Sequence, residues 1–265
     1  MKAIGEVLAN LNIKRAESDD LPPDDDPEED ICACCGFPTD QAGWVSAPPR
    51  KGVPLWAGGI VQCPIRHEKY QILQRNWRIS ASNLPVSSAK THRFSTWKSQ
   101  KTLETAFRFA QQFAANQVPE WSLTLSGPPG VGKTHLAYAI AWEWLENDRG
   151  TVRYWQVPHF LDQLRRGYNH EEGRASDDIY SLLDAASSCS LFILDDLGMQ
   201  KSSEWAVEKL DEIIDLRYAQ RPQLRTVVTT NKDPGEHPAR IASRLLQGKC
   251  IDMKGADLRR RRASC

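Results

Sequence analysis

No apolar run in this 265-residue chain approaches the roughly 18–20 residues needed to cross a bilayer. Nothing therefore predicts a membrane partner. The opening residues also lack the apolar core of a signal peptide, because Glu6, Asn10 and Asn12 interrupt it. Both absences predict a cytoplasmic protein. There is no charge excess: Lys+Arg and Asp+Glu both number 34, so overall charge nominates no acidic or basic partner. Cysteine is sparse at seven residues. In a reducing compartment, clustered thiols point to metal rather than disulfides. No internal repeat is apparent, which leaves out the solenoid architectures. The length suits one domain with an appendage, or two small domains.

The charge that is present is unevenly placed. Glu17 to Asp30 holds nine acids and no base, whereas Arg66 to Lys101 holds eight Lys/Arg against the single acid Glu68. Before the acidic run, Ile4, Val7, Leu8 and Leu11 lie at helical spacing. This short helix would dock on a partner or on its own chain. The acidic, proline-interrupted run reads as a solvated tether, so residues 1–30 are expected to be a helix and a linker.

Residues 31–70 are expected to form a small zinc module. Cys32 and Cys35 make a C-x2-C pair, and Cys63 with His67 supplies a second pair. Thiolates and an imidazole paired across a loop suit tetrahedral Zn²⁺, and so small a region would depend on the metal for its fold. Cys34 competes with His67 for the fourth place. Residues 71–100 read as a basic linker. The basic stretch is interleaved with Tyr70, Trp77, His92, Phe94 and Trp97. Cations among aromatic platforms suit single-stranded nucleic acid, and equally a linker with anchoring aromatics.

From residue 101 to 265 the pattern is that of a single α/β domain. Leu103, Phe107, Ala110 and Ala114 mark an amphipathic helix. Strands are expected at 121–126, 151–157, 190–194 and 224–230, with helices between them, which implies a mostly parallel sheet covered by helices. At the first strand's end stand Gly127, Pro128, Pro129, Gly130, Val131, Gly132, Lys133 and Thr134. This is a complete G-x-x-x-x-G-K-[ST] loop between strand and helix. Its glycines let backbone N–H groups converge on an anion, and the helix N-terminus adds positive potential. Lys133 would reach the β- and γ-phosphates, and the Thr134 hydroxyl would ligate Mg²⁺. The loop implies nucleoside triphosphate binding.

A second element completes that site. Leu191-Phe192-Ile193-Leu194 runs into Asp195 and Asp196, placing two acids at the carboxyl edge of the sheet. Asp195 would hold the Mg²⁺ shell, and Asp196 would orient or deprotonate the attacking water. Val227-Val228-Thr229-Thr230 ends in Asn231, an amide able to sense the γ-phosphate. Arg240 and Arg244 fall four apart on a short helix, hence on one face. One of them, with Arg244 preferred, could reach a neighbouring subunit's phosphate.

These residues resemble the DnaC/DnaI/IstB group of AAA+ ATPases. The likeness is carried by the loop followed by His135-Leu136-Ala137, by Asp195-Asp196-Leu197-Gly198, by Thr229-Thr230-Asn231, by Ser243-Arg244-Leu245 and by Gly255-Ala256-Asp257-Leu258-Arg259. Gly43-Trp44-Val45, Cys63-Pro64, Asn83-Leu84-Pro85 and Phe94-Ser95-Thr96-Trp97 extend it to zinc-bearing helicase loaders. The resemblance implies an AAA+ P-loop fold with ATP and Mg²⁺ as ligands. It casts Asp196 as catalytic acid, Asn231 as first sensor, Arg244 as arginine finger and Arg259 as second sensor. It also implies head-to-tail self-association, single-stranded DNA binding and delivery of a hexameric DnaB-type replicative helicase. The sequence departs from the pattern where a second C-P-C pair would stand, and the short stretch after Asn231 predicts a minimal or absent lid. The alternative within the group is an IstB-like helper of DNA transposition. A small-molecule P-loop kinase fits the Asp-Asp and Ser-Arg-Leu motifs poorly. A zinc adaptor using its ATPase core as a binding switch would turn over slowly.

Overall fold

A computed structural model of the chain describes residues 44–47, 59–62, 64–98, 100–168, 177–198 and 204–258. The chain divides into a smaller unit within Asn12–Ser80 and a larger one from Ala81 onward. In the smaller unit, strand β1 (Trp44–Ala47) pairs antiparallel with β2 (Gly59–Gln62), Trp44 facing Gln62. Helix α1 (Pro64–Ala81) follows. Proline at the first helical position forfeits no hydrogen bond, and the rest of the helix contains neither Gly nor Pro. That composition makes a helix of residues 71–81, where the basic charge suggests a linker. The zinc-assigned Cys32, Cys35 and Cys63, the alternative Cys34, and the side chain of His67 lie outside the described residues.

The larger unit opens with a short helix α2 (Ser88–Thr91) and the amphipathic α3 (Glu104–Ala114), which buries Ala106, Ala110, Phe113 and Ala114. Strands and helices then alternate: β3 (Ser122–Ser126), α4 (Lys133–Glu146), β4 (Val152–Gln156), α5 (Val157–Tyr168), α6 (Asp177–Ser188), β5 (Leu191–Leu197), α7 (Glu204–Ala219), β6 (Arg225–Thr230), α8 (Ala239–Leu245) and β7 (Lys249–Asp252). The five strands from β3 onward form one parallel sheet in the order β4-β5-β6-β3-β7. Every residue of β3 and β6 is buried, as expected where helices cover both faces of a parallel sheet. The strand with the Gly-rich loop is therefore an interior strand, between β6 and β7, and β6 separates it from the acid-tipped β5. Among the described residues no helix is long and apolar enough to cross a membrane.

The helices pack by apolar content. Helix α4 buries residues on nearly every side, Leu136, Ile140, Trp142 and Leu145 among them, the pattern of a helix inside the protein. The Trp142 indole N–H donates to Ser88 Oγ at 2.8 Å, which gives a fully buried polar atom its partner. Helix α7 turns Ala206, Leu210, Ile213, Ile214 and Arg217 inward. Arg217 is 0% exposed, yet every partner is neutral. Its guanidinium donates to the carbonyls of Ala186, Cys189 and Arg225 and to Thr226 Oγ1 at 2.6–3.0 Å. It thereby ties the end of α6 to the starts of β5 and β6.

Two features of the sheet were not legible as periodicity. Strand β7 carries one buried residue, Ile251, among Lys249, Cys250 and Asp252, too weak an apolar signal to register. Strand β5 runs on through both acids to Leu197, with a register shift against β6 between Leu194 and Leu197. The described segment after β7, 253–258, contains no helix.

Candidate functional site

The Gly-rich loop joins β3 to α4 at the carboxyl end of the sheet. Gly130 and Gly132 have φ of 83° and 103°, in the left-handed region that glycine enters without a Cβ penalty. Neighbours also press on both. A Cβ on Gly130 would lie 2.0 Å from Asp257 Oδ1, and one on Gly132 would meet the Trp97 ring at 2.7 Å. The segment after β7 closes on the loop, with Met253 N–H donating to the Ser126 carbonyl at 2.8 Å and Leu258 N–H to the Gly130 carbonyl at 3.0 Å.

Lys133 is only 5% exposed. Its ammonium donates to the carbonyls of Gly127 and Pro128 at 2.7 and 2.8 Å, folding back over the loop it belongs to. Trp97 stacks on Phe107 with centroids 5.8 Å apart and meets His135 edge-on at 5.2 Å. Burial holds the His135 imidazole below its ordinary pKa. The neutral ring donates from Nε2 to the Arg93 carbonyl at 2.9 Å.

Asp195 is 0% exposed and is the centre of the site. Three hydroxyl groups donate to its carboxylate. Thr134 from α4 reaches Oδ1 at 3.1 Å, Thr229 from β6 reaches Oδ1 at 2.5 Å, and Tyr154 from β4 reaches Oδ2 at 2.7 Å. The two shorter contacts have the length of charge-assisted O–H···O⁻ bonds. Thr229 also accepts from the Asp196 backbone N–H at 2.9 Å, so its own proton is directed to Asp195. Burial first, and then the Asp195 charge, push the Tyr154 phenol far above its ordinary pKa, which keeps it a donor. Thr134 and Asp195 present adjacent hard oxygens, the donor chemistry that Mg²⁺ takes.

Asp196 has φ of 60°, a left-handed conformation that Asp tolerates better than most residues. A regular strand would send Asp195 and Asp196 to opposite faces. The irregularity between Leu194 and Leu197 breaks that alternation, as bulges beside active sites do. Asn231 follows β6 at the same sheet edge. Its neighbour Thr230 donates to the Leu197 carbonyl at 2.9 Å and accepts from Lys232 N–H at 3.1 Å, so the tips of β5 and β6 are tied together. His237 Nε2 lies 3.0 Å from Thr230 Oγ1, and burial lowers its pKa.

Arg240 and Arg244 share one face of α8, and that face is turned to α7. Arg244 Nε donates to Asp215 Oδ1 at 2.6 Å, and Arg240 bridges Asp211 and Asp215 at 3.0 and 3.1 Å. The bond to Asp215 raises the Arg244 pKa. Its guanidinium also sits 4.5 Å above the Tyr218 ring centroid. Arg259 lies outside the described residues. Nothing in the sequence marks Tyr154 or Asp215 for a role, and it shows Thr229 only as part of a polar strand tip. Tyr154 left no signal, because its hydroxyl meets a partner 41 positions away.

Residues 87–252 match the family described as IstB-like ATP binding protein. The chain is 31% identical over 127 residues to an insertion sequence IS5376 putative ATP-binding protein of Geobacillus stearothermophilus, covering 48% of this chain and 46% of that protein. It is 29% identical over 122 residues to the replicative helicase loader DnaC of Buchnera aphidicola subsp. Schizaphis graminum (strain Sg), covering 46% and 47%. A crystal structure of DnaI superposes with a TM-score of 0.53 at 25% identity, over 67% of this chain and 95% of that one. The fold is that of AAA+ P-loop NTPases. The chain spans about half the length of these two curated relatives.

Proposed function

Since this chain belongs to the IstB-like ATP-binding protein family, we propose that it hydrolyses ATP at interfaces between its own copies and uses that cycle to load a replicative helicase onto DNA. The observation that carries the ATPase reading is the convergence of Thr134, Thr229 and Tyr154 on the buried Asp195, one strand away from the Gly-rich loop. Thr134 and Asp195 would hold Mg²⁺, which supplies charge neutralisation at the phosphates. Lys133 would leave its two loop carbonyls for phosphate oxygens, and Asp196 would take the proton of the attacking water. Asn231, at the tied tips of β5 and β6, would respond to loss of the γ-phosphate. Arg259 would contact nucleotide within its own subunit.

In this reading Arg244 acts on the next subunit. The pair with Asp215 parks it on α7, and the pair is only partly buried, so solvent screening leaves it weak enough to exchange for a phosphate. Head-to-tail contacts of this kind build rings or open spirals, and an open spiral could prise a ring helicase onto a single strand. Arg244→Ala is expected to bind ATP at wild-type affinity with turnover reduced roughly 100-fold, in line with the worth of an arginine finger. Mixing it with a loop mutant should restore part of the activity. Unchanged turnover in Arg244→Ala would move the finger to Arg240.

The loader reading is supported by the likeness to DnaC and DnaI and by the pattern of pairs that includes Cys32, Cys35, Cys63 and His67. These would hold a structural Zn²⁺, for which metal analysis of the purified protein should find about one zinc per chain; a metal-free folded protein would remove it. The second reading, a transposition helper, is favoured by the likeness to the insertion-sequence ATP-binding protein. Affinity capture from native lysate, with and without ATP, separates the two. Recovery of a hexameric DnaB-type helicase and single-stranded DNA carries the loader. Recovery of a transposase on duplex DNA, without helicase, carries the helper.

A further inference from the structure

We propose that Tyr154 is a positioning residue for Mg²⁺, acting through Asp195; the inference rests on the Mg²⁺–ATP reading of the site. A carboxylate has two oxygens, and here they are divided. Oδ1 takes Thr134 and Thr229, while Oδ2 takes the Tyr154 phenol. Thr134 lies in the loop motif and Thr229 at a strand tip beside it. Tyr154 belongs to neither. It stands on β4, opposite Ile193 of β5, and contributes nothing to the phosphate loop.

Its hold on Asp195 is nevertheless built from several directions. The Tyr154 backbone N–H donates to the Ser82 carbonyl at 2.8 Å. Its ring lies 4.8 Å from that of Tyr138, which is one helical turn beyond Thr134 on α4. The residue is 5% exposed, so its hydroxyl has little water to turn to. A phenol fixed at backbone, ring and hydroxyl locks the rotation of the Asp195 carboxyl group and keeps Oδ1 turned to Thr134. Without it, Oδ2 would be a buried carboxylate oxygen short of a donor. The group would gain freedom to turn, at the position where Mg²⁺ needs it fixed. Partners that orient a ligand in this way typically govern metal affinity by about 10–100-fold.

Tyr154→Phe keeps the ring and removes only the hydroxyl. The probe is a fluorescent ADP analogue bound to the full chain, titrated with Mg²⁺ and, separately, in EDTA. The Mg²⁺ concentration giving half of the affinity enhancement is expected to rise roughly tenfold, with affinity in EDTA within about twofold of wild type. A purely structural hydroxyl would lower thermal stability and leave the Mg²⁺ midpoint in place, and that result overturns the inference. Tyr138→Phe removes the neighbouring hydroxyl that bonds to the Tyr154 phenol and leaves the bond to Asp195, so its Mg²⁺ midpoint should shift less than that of Tyr154→Phe; an equal or larger shift there would place the hold on Asp195 elsewhere and also overturn the inference. Absence of any Mg²⁺ enhancement in the wild-type protein is a different failure, since it removes the Mg²⁺–ATP reading on which the inference stands.

Discussion

Lys133→Ala is expected to abolish measurable nucleotide binding while leaving the protein folded. The ammonium is buried and donates to the carbonyls of Gly127 and Pro128. It is held against the Gly-rich loop, at the place assigned to the phosphates. Two charge-assisted bonds to phosphate oxygens would be lost, at ~1.5–3 kcal/mol each, which weakens affinity by at least about 100-fold. The folded state should lose little. Gly127 is half-buried and Pro128 exposed, so water can satisfy the carbonyls that Lys133 releases. Alanine is also the best helix former at the start of α4. Titration calorimetry with ATP and Mg²⁺, beside a thermal melt, reads both halves. Affinity within threefold of wild type would overturn the phosphate-loop assignment. A large fall in melting temperature would mean that Lys133 braces the loop more than it serves a ligand.

The loop and Asp195 were legible in the sequence because each joins a contiguous motif to a strand. Gly127–Thr134 follows a short strand that alternates Leu with Ser and Thr after Trp121, and Asp195 ends an apolar run. What could not be read is what depends on pairing across the sheet. The bond from Tyr154 to Asp195 requires that β4 lie beside β5, and the one from Thr229 requires β6 on its other side. The positive φ of Asp196 is likewise a product of the register shift against β6, since an acidic dipeptide after an apolar run looks the same with or without a bulge. The spacing of Arg240 and Arg244 puts them on one face. That this face meets Asp211 and Asp215 follows only from the packing of α8 on α7. The basic charge of helix α1 suggests a linker, although its composition favours a helix. Arg217 shows the limit most sharply. Arginine on a helix reads as solvated surface, but here five neutral oxygens and a sulfur enclose it.

Asp196→Asn is expected to keep nucleotide affinity within about threefold and to lower ATP turnover by roughly 100-fold or more, the usual worth of a positioned base. The substitution is chosen for the backbone. Asn, like Asp, tolerates the left-handed conformation at φ 60°, so the bulge should persist. The Asp196 N–H can still donate to Thr229, and Thr229 to Asp195. Only the ability to accept a proton is removed. Alanine would confound the result, because its Cβ in that region costs about 1–2 kcal/mol and could disturb Asp195 through Thr229. Glycine supplies the complementary control: it relaxes the backbone and deletes the carboxylate. If Asp196 is the base, Asn and Gly variants should both turn over slowly, with Gly no less stable than Ala. If Asp196 matters only for the shape of the bulge, the Asn variant should turn over at close to the wild-type rate, and the proton of the attacking water must then go elsewhere. Steady-state phosphate release, measured with nucleotide affinity on the same preparations, decides between them.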